Sequence, residues 1–89
     1  MPEAPFYTYV LYSAKLKRCY TGSTNDLRAR LHRHNTGQGP ATKAGVPWVL
    51  VHCEPHPNRS EATKREMYFK TGKGRDEVRQ RARAQLGLD

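Results

Sequence analysis

From residue 6 to 12 the chain reads FYTYVLY, a dense run of aromatic and β-branched positions that predicts a strand. A period of two sets Tyr7, Tyr9 and Leu11 on one face and Phe6, Val10 and Tyr12 on the other. Residues 13–16 make a short turn, and KRCYT at 17–21 predicts the returning strand of a hairpin. Residues 22–26 (GSTND) supply a turn and several candidate N-caps, and LRARLHRHN then predicts a helix with Leu27 and Leu31 as its apolar stripe. Thr36 and Gly37 end that helix. A basic loop with Gly and Pro follows at 38–47, then a third strand at 48–53 (WVLVHC), apolar enough to be central or best buried. Residues 54–58, with two prolines, predict a turn. A second helix is expected from about Arg59 to Thr71, capped by Asn58 with Glu61, or by Ser60. Residues 71–74 (TGKG) break it, and a shorter helix from Asp76 to about Leu86 carries Val78, Ala82 and Leu86 inward. The expected fold is α+β, in the order β-β-α-β-α-α.

Length and composition narrow this picture. Eighty-nine residues with 36% hydrophobic positions allow one domain with a small core. No apolar run approaches the roughly 20 residues of a membrane span, and the N-terminus lacks the pattern of a signal peptide. A cytoplasmic protein is the expectation. Cys19 and Cys53 are separated by 34 positions without CxxC spacing, so both are expected as core thiols rather than a disulfide. His52, Cys53 and His56 resemble half of a zinc site, but no second ligand pair completes it.

Charge changes the picture more. Sixteen Lys and Arg against eight Asp and Glu give +8 and a pI near 9.9. Residues 1–50 hold seven basic side chains and two acidic ones, Glu3 and Asp26. So uneven a balance favours a polyanionic partner, with a merely solubilising surface as the alternative.

Three sets of polar residues lie where packing should rule. On the first helix His34 falls about 20° from Leu27 and Arg30 about 60° from it, on the same side. Arg30 and His34 are also i,i+4 neighbours. The competing reading of Arg30 is a side chain snorkelling at the core's rim. On the second helix Glu66 shares a face with Ala62 and Phe69, a costly place for a carboxylate without a partner. That partner is a basic side chain such as Arg30, giving a structural ion pair, or a metal ion. Lastly, Tyr7, Tyr9, Tyr12 and Tyr20 crowd the first hairpin, more than strand propensity explains. Tyr20 ends its strand just before the helix start, and a phenol there, its pKa lowered by the basic groups of that helix, would accept a proton from water.

These residues resemble the GIY-YIG nucleases. Tyr7-Thr8-Tyr9 and Tyr20-Thr21-Gly22, with an eleven-residue step between Tyr9 and Tyr20, are similar to the paired motif that names the family. STNDLRARLHRHN resembles its first helix and SEATKREMYFK its A-x-x-x-E helix. Small stand-alone bacterial members of the YhbQ-like type are most similar, over roughly residues 6–73. The resemblance implies a three-stranded antiparallel sheet flanked by helices, with the active site on one sheet face. Residues 1–5 would be a tail, 6–75 the domain, and 76–89 a basic helix and tail. It implies an endonuclease hydrolysing DNA, with Tyr9, Tyr20, Arg30 and His34 catalytic and Glu66 the sole protein ligand of Mg²⁺ or Mn²⁺. A role in repair or recombination, and no small-molecule cofactor or membrane partner, are implied by the same likeness. The general base stays open among Tyr20, Tyr9 and His34.

The chain departs from the motif at Tyr7-Thr8, for Gly-Ile, and at Thr21, for Ile. Candidate nucleic-acid contacts are Lys17, Arg18, Arg33, Lys43, Lys70 and Lys73, supported by the 38–47 loop and the C-terminal arginines. Single-stranded, branched and duplex substrates all remain open, as does RNA. A non-catalytic nucleic-acid-binding module is the runner-up, and a small basic protein bound to ribosomes or a protein partner the third reading.

Overall fold

The computed structural model of the chain describes residues 5–87. The tail assigned to residues 1–5 lies, apart from Pro5, outside the described residues, as do Leu88 and Asp89 at the end of the 76–89 segment. The elements run β1 (Phe6–Ser13), β2 (Arg18–Thr24), α1 (Leu27–Asn35), a 3-10 turn (Lys43–Gly45), β3 (Trp48–His56), α2 (Arg59–Phe69) and α3 (Gly72–Leu86). This is the α+β order expected from the sequence.

All pairings in the sheet are antiparallel and its order is β2-β1-β3. The central strand is therefore β1, where the sequence reading had favoured the third strand. The reason lies in the side chains. Thr8, Tyr9, Val10 and Leu11 are buried in succession, so β1 is covered on both faces. In β3, Val49, Cys53 and Pro55 are exposed, and an edge strand accommodates Pro55, which lacks a donor for a second ladder. Edge position also corrects the expectation for Cys53, a free thiol that is exposed. Cys19 is free and half-buried. Both edge strands run longer than expected: β2 continues through Gly22 to Thr24, and Glu54 to His56 still pair with Thr8 to Phe6.

Two small cores sandwich the sheet. Val10 and Val51 pack with Phe69 of α2 and with Val78 and Ala82 of α3. On the opposite face Tyr9, Leu11 and Trp48 meet Leu27 and Leu31 of α1. Period-two alternation along β1 assigned these faces correctly. Asp26 caps α1, accepting from the Ala29 amide at 3.0 Å, and Asn35 at its other end clasps both the N–H and the carbonyl of Trp48. On the far side Arg65 joins Glu54 of β3 to Glu77 of α3, at 2.6 and 3.2 Å.

The third helix departs from expectation at its start. Gly72-Lys73-Gly74 forms its first turn rather than a break, because the Thr71 hydroxyl accepts from the Gly74 amide at 3.1 Å. A Cβ at Gly74 would collide with the Tyr68 carbonyl and lie 2.7 Å from Phe69 Cα. Glycine is there to let α3 close against the end of α2. No helix among the described residues is long and apolar enough to cross a membrane.

Candidate active site

The site is assembled from β1, β2, α1 and α2 at the β2 side of the sheet. Tyr9 stands opposite Gly22 in the β1–β2 ladder, and its ring lies over that glycine. A Cβ at Gly22 would meet the Tyr9 Cζ at 2.7 Å. The absence of a side chain at position 22 lets the phenol lie across β2.

The Tyr9 hydroxyl ends 3.0 Å from His34 Nε2. His34 is the one buried residue of α1, which explains its place beside Leu27 on the helical wheel. Its Nδ1 lies 2.7 Å from Thr42 Oγ1. Assigning the Thr42 hydroxyl hydrogen to the Gly39 carbonyl, 3.5 Å away, gives the tautomer in which His34 Nδ1–H donates to Thr42 and Nε2 accepts from Tyr9. Thr42 is itself 1% exposed, and its carbonyl accepts from Trp48 Nε1 at 2.7 Å. Tyr20 packs edge-on against the His34 ring at 5.0 Å between centroids. The imidazole is thus fixed by a hydrogen bond at each nitrogen and a ring at its side.

Electrostatics set the protonation states. Burial lowers the His34 pKa below its ordinary 6.5, and Arg30 and Arg33 push the same way. Burial pushes the Tyr9 phenol up to about 12, with Tyr20 adding to the rise. Arg30 lies close enough to oppose it, and Glu66 acts in the raising direction. At Tyr9 desolvation therefore outweighs the nearby guanidinium of Arg30.

The lowered His34 pKa has a stability consequence. Between the folded pKa and 6.5 the unfolded chain binds a proton that the folded chain refuses. The His34 contribution is therefore intact above 6.5, erodes as pH falls from there, and is fully lost below the folded pKa. Thermal midpoints measured from pH 7.5 down to 5.5 are expected to fall more steeply for the wild type than for His34→Gln. Parallel profiles would show that His34 is not the buried neutral group.

Glu66 reaches the site from α2. Its carboxylate accepts from the Ser23 hydroxyl of β2 at 2.8 Å and pairs with Lys70 at 2.8 Å. Its side chain keeps 21% of its surface exposed, so the apolar-face argument overstated its burial. Among the described residues Glu66 makes no ion pair with Arg30, and the structural Arg30–Glu66 pair is not formed. Groups of three or more His, Cys, Asp or Glu side chains placed to hold a metal ion are absent from the described residues. The donor set is one carboxylate beside a hydroxyl and solvent, with Lys70 half-exposed and free to swing aside. Such a set fits a hard cation that keeps most of its water, and does not fit a closed zinc site.

The remaining sequence candidates separate. Lys17, Arg18 and Lys70 line one groove. Arg33 is exposed at the end of α1, Lys43 lies in the 3-10 turn, and Lys73 is in the first turn of α3. Sequence reasoning passed over Ser23, which holds Glu66, and Thr42, which fixes the His34 tautomer. Neither carries a spacing signal, since Thr42 comes from the irregular loop and Ser23 from what read as a turn.

Comparison with known proteins bears on this arrangement. Residues 5–80 match the family model of the GIY-YIG catalytic domain. A UPF0213 protein of Streptococcus agalactiae is 39% identical over 71 residues, covering 79% of this chain and 80% of its own length. Another, from Staphylococcus haemolyticus, is 41% identical over 69 residues, covering 76% of this chain and 83% of its own. No solved structure matches the chain significantly.

Proposed function

Because the chain belongs to the GIY-YIG family, we propose that it is a metal-dependent endonuclease hydrolysing phosphodiester bonds in DNA. The observation that carries this reading is the Tyr9–His34–Thr42 chain of hydrogen bonds, with Arg30 beside the phenol and Glu66 anchored on the same edge strand.

In this mechanism Tyr9 accepts a proton from the attacking water as it passes its own to His34 Nε2. A standing phenolate is not needed, which matters because the phenol titrates near 12. The neutral state of His34 keeps Nε2 open at pH 7. Arg30 holds a non-bridging phosphate oxygen and offsets the charge that develops there. Tyr20 positions the imidazole through its edge contact. Mg²⁺ or Mn²⁺ bound at Glu66 would supply Lewis-acid stabilisation of the phosphate and leaving oxygen. The two free thiols suit a reducing compartment, and we place the protein in the cytoplasm.

The test is cleavage of single-stranded, branched and duplex DNA, and of RNA, in each metal. Arg30→Ala is expected to lower kcat by about 10²–10³-fold, the usual loss when one preorganised charge-stabilising donor is removed. Wild-type protein that binds but cuts none of these substrates would favour the non-catalytic module instead.

A further inference from the structure

Beside the site the free edge of β2 and the flank of α3 enclose a groove of about 1060 Å³. Six cations line it: Lys17, Arg18, Lys70, Arg75, Arg79 and Arg83; no carboxylate does. Lys70 pairs with Glu66 and Arg79 with Asp76, at 2.8 and 3.6 Å. The other four make no ion pair among the described residues. Three neighbouring acids are occupied outside the groove, with Glu54 of β3 and Glu77 of α3 bound to Arg65 and Glu61 of α2 to Lys64. Cations held side by side without counter-charge repel one another, an arrangement a polyanion would relieve.

The groove is also continuous with the candidate active site. Tyr20 lines it and touches His34, while Lys70 lines it and touches Glu66. We propose that it is the bed for the phosphate backbone of a single strand flanking the scissile bond, an inference that rests on the nucleic-acid reading above. The volume lies at the upper end of small-ligand cavities, too small to enclose a duplex. A row of cations beside the Tyr12 and Tyr20 rings fits backbone tracking with sequence-tolerant contacts rather than base-edge readout. The groove floor holds Cys19, half-buried and facing Arg79.

Binding in EDTA separates this proposal from catalysis. A fluorescein-labelled single-stranded oligonucleotide is titrated by anisotropy against wild type, Arg75→Gln/Arg83→Gln, and the control Arg59→Gln/Lys64→Gln. Both doubles remove the same charge from exposed positions. The groove double is expected to bind about tenfold more weakly, with the log–log salt slope reduced by about 1.4, near 0.7 per lost phosphate contact. The control should change far less. In a Cys53→Ser background, oligonucleotide should slow alkylation of Cys19 several-fold. Equal losses in the two doubles, no loss in the groove double, or unprotected Cys19 would overturn the assignment. So would sedimentation showing that the groove double abolishes self-association, which would make a second copy the occupant. If the protein cuts no substrate yet passes these tests, the groove stands and the nuclease reading falls.

Discussion

Glu66→Gln is expected to lower the rate of cleavage by about 10³-fold or more in either Mg²⁺ or Mn²⁺, the scale of several kcal/mol of lost metal stabilisation. The substitution is chosen to spare the fold. A glutamine carbonyl still accepts from Ser23, whose hydroxyl donates to Glu66 at 2.8 Å. What disappears is the charge that pairs with Lys70 across a half-exposed contact, and such surface pairs contribute about 1 kcal/mol or less. The melting temperature should therefore move by only a few degrees. Oligonucleotide binding in EDTA should hold or tighten slightly, because the protein becomes more positive. A variant that cuts within tenfold of wild type would remove Glu66 from the mechanism. Melting far below wild type would instead assign the carboxylate a structural role.

The largest effect on stability is expected at Gly74. Its missing side chain is what allows the first turn of α3 to touch the Tyr68 carbonyl and Phe69 Cα. Both are backbone atoms, and Phe69 is 1% exposed, so nothing can rotate away. Gly74→Ala must push the helices apart and loosen Val78 and Ala82 from Val10 and Val51. Overpacking of this kind costs about 3 kcal/mol at the upper end of its usual range. For a domain of this size that corresponds to a Tm drop of roughly 12–24 °C. Gly72→Ala is the matched control, because no heavy atom lies within 4 Å of its added Cβ, and it should cost nothing or stabilise the helix. Equal melting of the two variants would show that the α2–α3 junction is not tight.

The pair also shows where sequence reading stops. Gly72 and Gly74 read as a helix break because glycine is a poor helix former, and nothing local reveals that Phe69 will press against the second of them. Strand centrality is similar. WVLVHC is as apolar as FYTYVLY and also feeds both cores, through Trp48 on one face and Val51 on the other, so which strand pairs on two sides depends on non-local contacts. Short-range rules did better. The caps came from the candidate sets, Asp26 from residues 22–26 and Asn58 rather than Ser60, and period two sorted β1 onto its two cores.

In the candidate site the legible residues were those that broke a pattern. His34 and Arg30 stood on an apolar helix face, and Tyr9 and Tyr20 exceeded what strands require. Their partners were illegible for the opposite reason. Ser23 and Thr42 are ordinary in their local settings and acquire meaning only when β2 and the loop are brought against α2 and α1. The raised pKa of Tyr9 belongs here as well, since burial, not the count of nearby cations, decides it.

The position of β2 at the border of the sheet has one more consequence. Tyr9 and His34 lie on the α1 side of that strand and Glu66 is anchored to it from the α2 side. On the proposed mechanism a phosphodiester is therefore attacked at the rim of the sheet, beside the groove between β2 and α3. A rim has no back wall against which a 5′ or 3′ terminus could be measured. Circular strands should be as acceptable as linear ones, and selectivity must come from how easily the backbone can be bent to lie along the strand.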